Sequence, residues 1–240
     1  MRILEWDSNF FGICIAMLES TSTDEFALAE AHQVQCAYVR VATNDFHGIR
    51  TVESRGGHLV DTRVEFECEL DALGEISSPS GVLICEQRPG DEDALLSIAA
   101  SAHSDSRFYA DNHFSPSRVS ELYQTWLRES LSGKLADRVF VADLEGRPAG
   151  YATIGADGQI GLIAVANSAH RRGAGTALVR HVQMAARARQ LRKISVVTQA
   201  SNIPAMRLYE RCGYLVAKTS YSFHIWFSEG VERTTQEPHL

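Results

Sequence analysis

The stretch Ile160-Gly161-Leu162-Ile163-Ala164-Val165-Ala166-Asn167-Ser168-Ala169-His170-Arg171-Arg172-Gly173-Ala174-Gly175-Thr176-Ala177-Leu178-Val179 carries an apolar strand through a short polar turn into a helix. Two arginines and two glycines stand where the turn meets the helix. The first N–H groups of a helix lack intrahelical partners, and the helix dipole adds partial positive charge at that end. Glycines there carry no Cβ to hold a phosphate away, so the order strand, Gly-rich turn, helix reads as an anion site. The helix repeats Ala174, Leu178, Val182 and Ala185 on one stripe, which marks it as a core element.

The flanks give this stretch a setting. After it, Lys193 to Thr198 reads as a strand, Pro204 to Cys212 as a helix ended by Gly213, and Ser220 to Phe227 as a last strand. Before it, three alternating segments, Val139 to Leu144, Ala149 to Ile154 and Gln159 to Val165, are separated by turn residues, with Asp157-Gly158 in a hairpin. Further upstream a strand spans Val82 to Gln87, and Asp91 caps a helix through Leu95, Ile98 and Ala99. A loop from Ser104 to Pro116 leads into a second helix, started by Ser115 and Pro116, with Val119, Leu122, Tyr123, Trp126 and Leu127 on its apolar face. The pattern predicts an α/β (α+β) fold with a mixed sheet.

The amino-terminal part repeats the theme at smaller scale. Leu4 to Gly12 packs three aromatics into a short polar frame, which reads first as an anchoring plug, and Ile13 to Leu18 follows as a strand. Tyr38 to Thr43 is a strand, Phe46 to Arg55 a helix closed by Gly56-Gly57, and Leu59 to Leu70 a strand. Val41-Ala42-Thr43 before Gly57-His58-Leu59-Val60 echoes Val197-Thr198 before Gly213-Tyr214-Leu215-Val216. Like elements at like spacing suggest a decayed copy of part of the second domain. Gly74 to Gly81, with Ser77-Ser78-Pro79-Ser80, has linker composition. The expected organisation is a small α/β domain over 1–76, the main domain over 77–228 and a disordered tail over 229–240.

Composition limits the function. Of 240 residues, 45% are apolar, enough for a real core. The formal net charge of −7 leaves no basic field to hold nucleic acid or an anionic membrane, so any anion must be met by local positive charge. No apolar run is long enough to insert in a membrane, the first residues do not read as a signal peptide, and five scattered cysteines read as reduced thiols; a cytoplasmic location follows. The nine histidines show no metal-ligand spacing, and no metal is expected.

Known phosphate loops can be compared with residues 165–180. A P-loop requires a Gly-Lys pair, which neither glycine supplies. A dinucleotide fingerprint requires Gly or Ala where Leu178 stands and an acid at the end of the next strand, where Ser195 to Thr198 offer none. His170-Arg171-Arg172-Gly173-Ala174-Gly175 resembles instead the coenzyme A loop of the GCN5-related N-acetyltransferases (GNAT), departing from it where His170 takes the Gln/Arg position. Asn202-Ile203-Pro204-Ala205-Met206-Arg207-Leu208-Tyr209-Glu210-Arg211-Cys212-Gly213-Tyr214 resembles that family's second conserved segment.

The resemblance implies a GNAT fold and acetyl-CoA as the donor. Leu162, Ile163, Ala164 and Val165 would hold the pantetheine arm by backbone pairing. His170, Arg171, Arg172, Gly173, Ala174, Gly175 and Thr176 would surround the pyrophosphate, and Asn202 would contact the arm. Tyr209 would stand beside the sulfur. By helical spacing alone Tyr209 is a core aromatic, but its phenol, with an ordinary pKa of about 10, can protonate a departing thiolate without ionising beforehand.

A narrower resemblance is to the dTDP-fucosamine acetyltransferases. It rests on Leu4-x-Trp6-Asp7-x-x-Phe10-Phe11-Gly12, Ser106-Arg107-Phe108, Tyr123-x-x-Trp126, Ile160-Gly161-Leu162 and Val197-Thr198-Gln199. It implies acetylation of a dTDP-4-amino-4,6-dideoxyhexose by direct transfer, with a backbone N–H near Ile163 facing the thioester carbonyl. Asp61 stands where that family carries an acid suspected of serving as the base; it is equally readable as a solvated strand carboxylate, with Glu65 and Glu67 next in order. Arg107 would meet the nucleotide diphosphate, and Phe108 or Tyr109 would stack on the base or form an aromatic hinge between helices. His103 and His113 read as loop histidines. A different amine acceptor (a protein N-terminus, a polyamine or an antibiotic) and a non-catalytic CoA-binding module are the competing readings, and a homodimer is one assembly open to the chain.

Overall fold

The computed structural model describes residues 1–77 and 79–227, and the tail expected from residue 229 lies outside them. The chain divides into two compact units, one formed by Met1–Val60 with the segment from Tyr221, the other by Asp61–Ser220.

In the first unit, β1 (Arg2–Ile3) pairs antiparallel with β2 (Ile15–Leu18), and β2 pairs parallel with β3 (Cys36–Ala42). Between β1 and β2 lies α1 (Glu5–Phe11), ended by Gly12 at φ 73°, so the aromatic frame expected as an irregular plug is a two-turn helix. Trp6 and Phe10 stack at 5.2 Å on it. Between β2 and β3 comes α2 (Thr23–Ala31), which the sequence pattern did not reveal because it buries only Phe26 and Ala29. Its signal is the capping pair: Ser22 Oγ accepts from the Glu25 N–H. The helix α3 (Phe46–Ser54) begins at Asp45, whose carboxylate accepts from the Gly48 N–H at 2.9 Å. Ala16, Leu18, Phe26, Val39, Val41 and Val52 form the core of this unit.

The chain leaves the first unit within β4 (His58–Glu69) and returns to it within the last strand, Leu215–Trp226. This division does not fall at 76/77, the boundary expected from composition. Composition there reads as a linker, but the division falls inside two long strands, where no composition shift marks it. The segment 74–81 belongs to the second unit. Arg187 holds it there by donating to the carbonyl oxygens of Leu73 and Gly74.

The second unit continues with β5 (Leu83–Glu86), α4 (Glu92–Ala102), α5 (Pro116–Leu131), β6 (Arg138–Leu144), β7 (Arg147–Ile154), β8 (Gln159–Val165), α6 (Ala174–Ala188), β9 (Lys193–Gln199), α7 (Ile203–Arg211) and β10 (Leu215–Trp226). Its strand order is β10-β4-β9-β8-β7-β6-β5. Alternation along each strand gives the sheet two faces. Phe140, Ala142, Ala152, Ile154, Ile160, Ile194 and Val196 point into one core with Val64, Phe66 and the Leu178 and Val182 stripe of α6. The helices α4 and α5 pack together and against β6 and β7. This is the mixed α/β fold that the sequence predicts.

Candidate active site

The site opens between β8 and β9. These parallel strands pair only at Gln159 with Ser195 and Ile160 with Val196. Farther on, β8 keeps its register with β7 as far as Val165, opposite Gly150. The strand β9 keeps its register with β4 as far as Gln199, opposite Arg63. Each strand thus stays bound on its outer side while the two inner edges run unpaired. A bulge drives the divergence: Ala152 to Ile154 on β7 spans two steps where Ile163 to Ile160 on β8 spans three. An extra residue bends a strand and increases its twist. The Leu162 N–H donates to the buried Thr153 hydroxyl at 2.8 Å, which satisfies the group displaced by the bulge. Leu162, Ile163, Ala164 and Val165 therefore lie on the diverging half of β8, where backbone groups face the opening.

Beyond β8, the loop folds into an anion-ready turn. The His170 ring lies back on the strand, its Nε2 donating to the Val165 carbonyl oxygen at 3.1 Å. Arg171 takes a left-handed φ of 61°, and Arg172 forms a surface ion pair with Glu145. Gly173, at φ 87°, is the N-cap of α6 and offers no side chain to its amides. The first intrahelical bond runs from the Ala177 N–H to the Gly173 carbonyl, so the N–H groups of Ala174, Gly175 and Thr176 have no helical partner. The two glycines differ in purpose. Gly173 is needed for its left-handed backbone, whereas a Cβ on Gly175 would come within 3.2 Å of Leu208 Cδ2. Gly175 thus permits close approach of α6 and α7.

Asn202 begins α7, its Oδ1 accepting from the Ala205 N–H at 3.1 Å. That use of the oxygen leaves its amide N–H groups for other contacts. Tyr209 is buried at 2% exposure, between Phe66 (5.6 Å) and Tyr214 (5.8 Å). Burial, reinforced by Cys212, pushes its phenol well above the usual value, so the hydroxyl keeps its proton.

Alternation on β4 separates the acids from this core. Val64, Phe66 and Cys68 face inward, and Asp61, Glu65 and Glu67 take the opposite face. Glu65 pairs with Arg63 at 3.2 Å and Glu67 with Lys193 at 3.0 Å, so both runner-up acids are engaged in ion pairs. Asp61 lies one residue before Thr62, whose carbonyl accepts from the Ala200 N–H just past the end of β9. Its charge acts on the Tyr123 phenol of α5.

Around Tyr123 the structure gathers groups that the sequence pattern reads as loop or core. His103, at the carboxyl end of α4, stacks on the Tyr123 ring at 4.2 Å and 16°. Its Nε2 lies 3.1 Å from the Tyr151 hydroxyl. Burial lowers the His103 pKa to about 4, so the ring that meets the phenol is neutral. Burial also raises the Tyr123 phenol to about 12. Ser106 is buried, and its Oγ lies beside the Tyr123 hydroxyl without reaching full hydrogen-bond geometry. Periodicity assigns Tyr123 to a helix stripe and Tyr151 to a strand; only their tertiary neighbours show them as a polar cluster. Of the three residues expected to bind the acceptor, Arg107 and Tyr109 are half-buried beside this cluster. Phe108, at 2% exposure, lies edge-on to Phe114 and Trp126, packing that suits the hinge reading of this ring better than stacking on a base.

Residues 100–214 match the model of the acetyltransferase (GNAT) family. The match takes in somewhat under half of the chain, from the end of α4 to the start of β10, so the opening, the glycine turn and Tyr209 all lie within the segment that resembles that family. The chain is 26% identical to a dTDP-fucosamine acetyltransferase of Escherichia coli O6:H1 over 227 residues, 91% of this chain and 94% of that protein. It is 30% identical to the spore coat polysaccharide biosynthesis protein SpsD of Bacillus subtilis over 141 residues. That match covers 58% of this chain and spans about half, 48%, of the length of SpsD. Among solved structures, a GNAT from Sphaerobacter thermophilus aligns with TM-score 0.59 at 20% identity, over 87% of this chain and 66% of that one. A tandem GNAT protein of the clavulanic acid pathway aligns with TM-score 0.57 at 16% identity, over 86% of this chain and 69% of that one. These structures share the fold.

Proposed function

We propose that this protein transfers an acetyl group from acetyl-CoA directly to the amino group of a dTDP-4-amino-4,6-dideoxyhexose. The observation that carries the donor half is the opening between β8 and β9, which leads to the uncapped amides of α6. The residues suit the donor. Ala174, Gly175 and Thr176 offer N–H groups to a pyrophosphate, Arg171 adds charge, and the free edge of β8 offers backbone groups to an amide-containing arm. Acetyl-CoA supplies an activated thioester. An N–H near Ile163 donates to its carbonyl oxygen. Tyr209, kept protonated by burial, gives its proton to the leaving sulfur.

The acceptor half rests on likeness to a relative named for dTDP-fucosamine, aligned along nearly the whole of both chains. Asp61 lies on the face of β4 opposite Phe66 and Tyr209, so the acid and the phenol approach the opening from different faces. Asp61, directly or through water, takes the ammonium proton, because only a neutral amine attacks. Arg107 meets the nucleotide diphosphate. The amino-terminal unit is a decayed half of a tandem GNAT, in keeping with its echo of the 197–216 segment.

The test is to incubate the protein with acetyl-CoA and dTDP-4-amino-4,6-dideoxygalactose and detect the acetylated sugar by mass. Thermal melting with dTDP, UDP or no nucleotide accompanies it. The account expects turnover and stabilisation by dTDP over UDP. Turnover of other amines with no acetylation of the dTDP-sugar would overturn the assignment.

A further inference from the structure

The buried polar cluster around Tyr123 has a chemistry of its own. Ser106 Oγ, at 4% exposure, lies beside the Tyr123 hydroxyl, its interacting neighbour, without reaching full hydrogen-bond geometry with it or with any other group among the described residues. A buried hydroxyl left without a partner costs about 1–3 kcal/mol, so such a group marks a place where a ligand completes the bonding. The Tyr123 phenol stands beside it, with Asp61, Arg107 and Tyr109 as its charged and titratable neighbours. His103 lies flat on the Tyr123 ring and is itself pinned by the Tyr151 hydroxyl. Tyr151 sits opposite Ala164, on the strand next to the open half of β8. Through Tyr151 the cluster is tied to the strand that flanks the diverging half of β8.

We propose that Ser106 and Tyr123 form a wall that binds the hydroxylated sugar ring of the acceptor, and that His103, held by Tyr151, positions the Tyr123 hydroxyl within it. Hydroxyl groups beside a flat aromatic pair suit a neutral, hydroxyl-bearing ring. The carboxylate of Asp61 favours the amine-bearing end of the substrate at this wall, Arg107 beside it meets the diphosphate, and the wall decides which sugar is accepted. Ser106 and Tyr123 are binding residues, and His103 is a positioning residue acting through Tyr123. This inference rests on the amino-sugar reading above.

The test compares Ser106→Ala, Tyr123→Phe, His103→Ala and His103→Phe with the wild type in steady-state acetylation of dTDP-4-amino-4,6-dideoxygalactose. A site built to hydrogen-bond a hydroxyl loses binding when its partner is removed, so S106A and Y123F should raise the acceptor KM by about tenfold or more. The acetyl-CoA KM and the affinity for dTDP alone should stay within about twofold of wild type. H103A should raise the acceptor KM similarly, and H103F, which keeps a ring against Tyr123, should restore most of the loss. Unchanged acceptor KM in both S106A and Y123F, or a parallel rise in the acetyl-CoA KM, overturns the wall. Acetyl-CoA affinity by calorimetry identifies any variant that has merely failed to fold, and for such a variant Ser106→Cys or Tyr123→His gives the reading. If the wild type leaves the dTDP-sugar unacetylated, the proposed function falls separately. The same variants are then compared on glucosamine and spermidine, where loss on the amino sugar alone supports the wall and equal behaviour on both overturns it.

Discussion

At position 209 a single hydroxyl separates a core aromatic from a proton donor. Its packing between Phe66 and Tyr214 accounts for the ring, and burial accounts for the retained proton. Tyr209→Phe keeps the ring and its packing, so stability and the acetyl-CoA KM should change little. The loss of a positioned acid should lower kcat by about 10²-fold or more. Steady-state kinetics with saturating acceptor measure this directly, and an unchanged kcat would return Tyr209 to the core. Legibility at this scale was uneven. Tyr209 and Asn202 stand out in the sequence because they lie in a contiguous motif. Ser106, Tyr123, Tyr151 and His103 come from a loop, two helices and a strand, and no local spacing links them; Phe108 likewise looks like an exposed loop ring until its neighbours are known.

Secondary elements were read most securely where both pattern and punctuation were strong. The α6 stripe, the helix begun at Asn202 and Pro204, and the hairpin at Asp157-Gly158 are examples. The helix α2 lacked a continuous apolar face, and the bulge of β8 depends on what β7 presents opposite it. The two glycines of the turn looked alike in sequence, but backbone conformation separates them. Gly173→Ala should distort the α6 amino terminus, because a left-handed residue other than Gly costs about 1–2 kcal/mol and the added Cβ would stand 3.2 Å from Pro79 Cβ. The expected outcome is a melting midpoint lowered by several degrees together with a raised acetyl-CoA KM, and an acceptor KM near that of wild type. Melting curves and initial rates on one preparation check both effects.

For the whole molecule, a net charge of −7 makes local anion binding the task of particular amides and arginines rather than of a general field. The division of the chain inside β4 and β10 was illegible because a continuous strand carries no linker composition, while the conspicuous Ser-Pro segment lies within one unit. In the proposed site, donor-binding groups on one face of the opening and acceptor-binding groups on the other would hold both substrates together before the acetyl group moves. No residue of the chain is assigned as an acylated nucleophile. The central claim is direct transfer, and initial velocities measured over a grid of acetyl-CoA and dTDP-4-amino-4,6-dideoxygalactose concentrations test it. The account predicts intersecting double-reciprocal lines; parallel lines would contradict it.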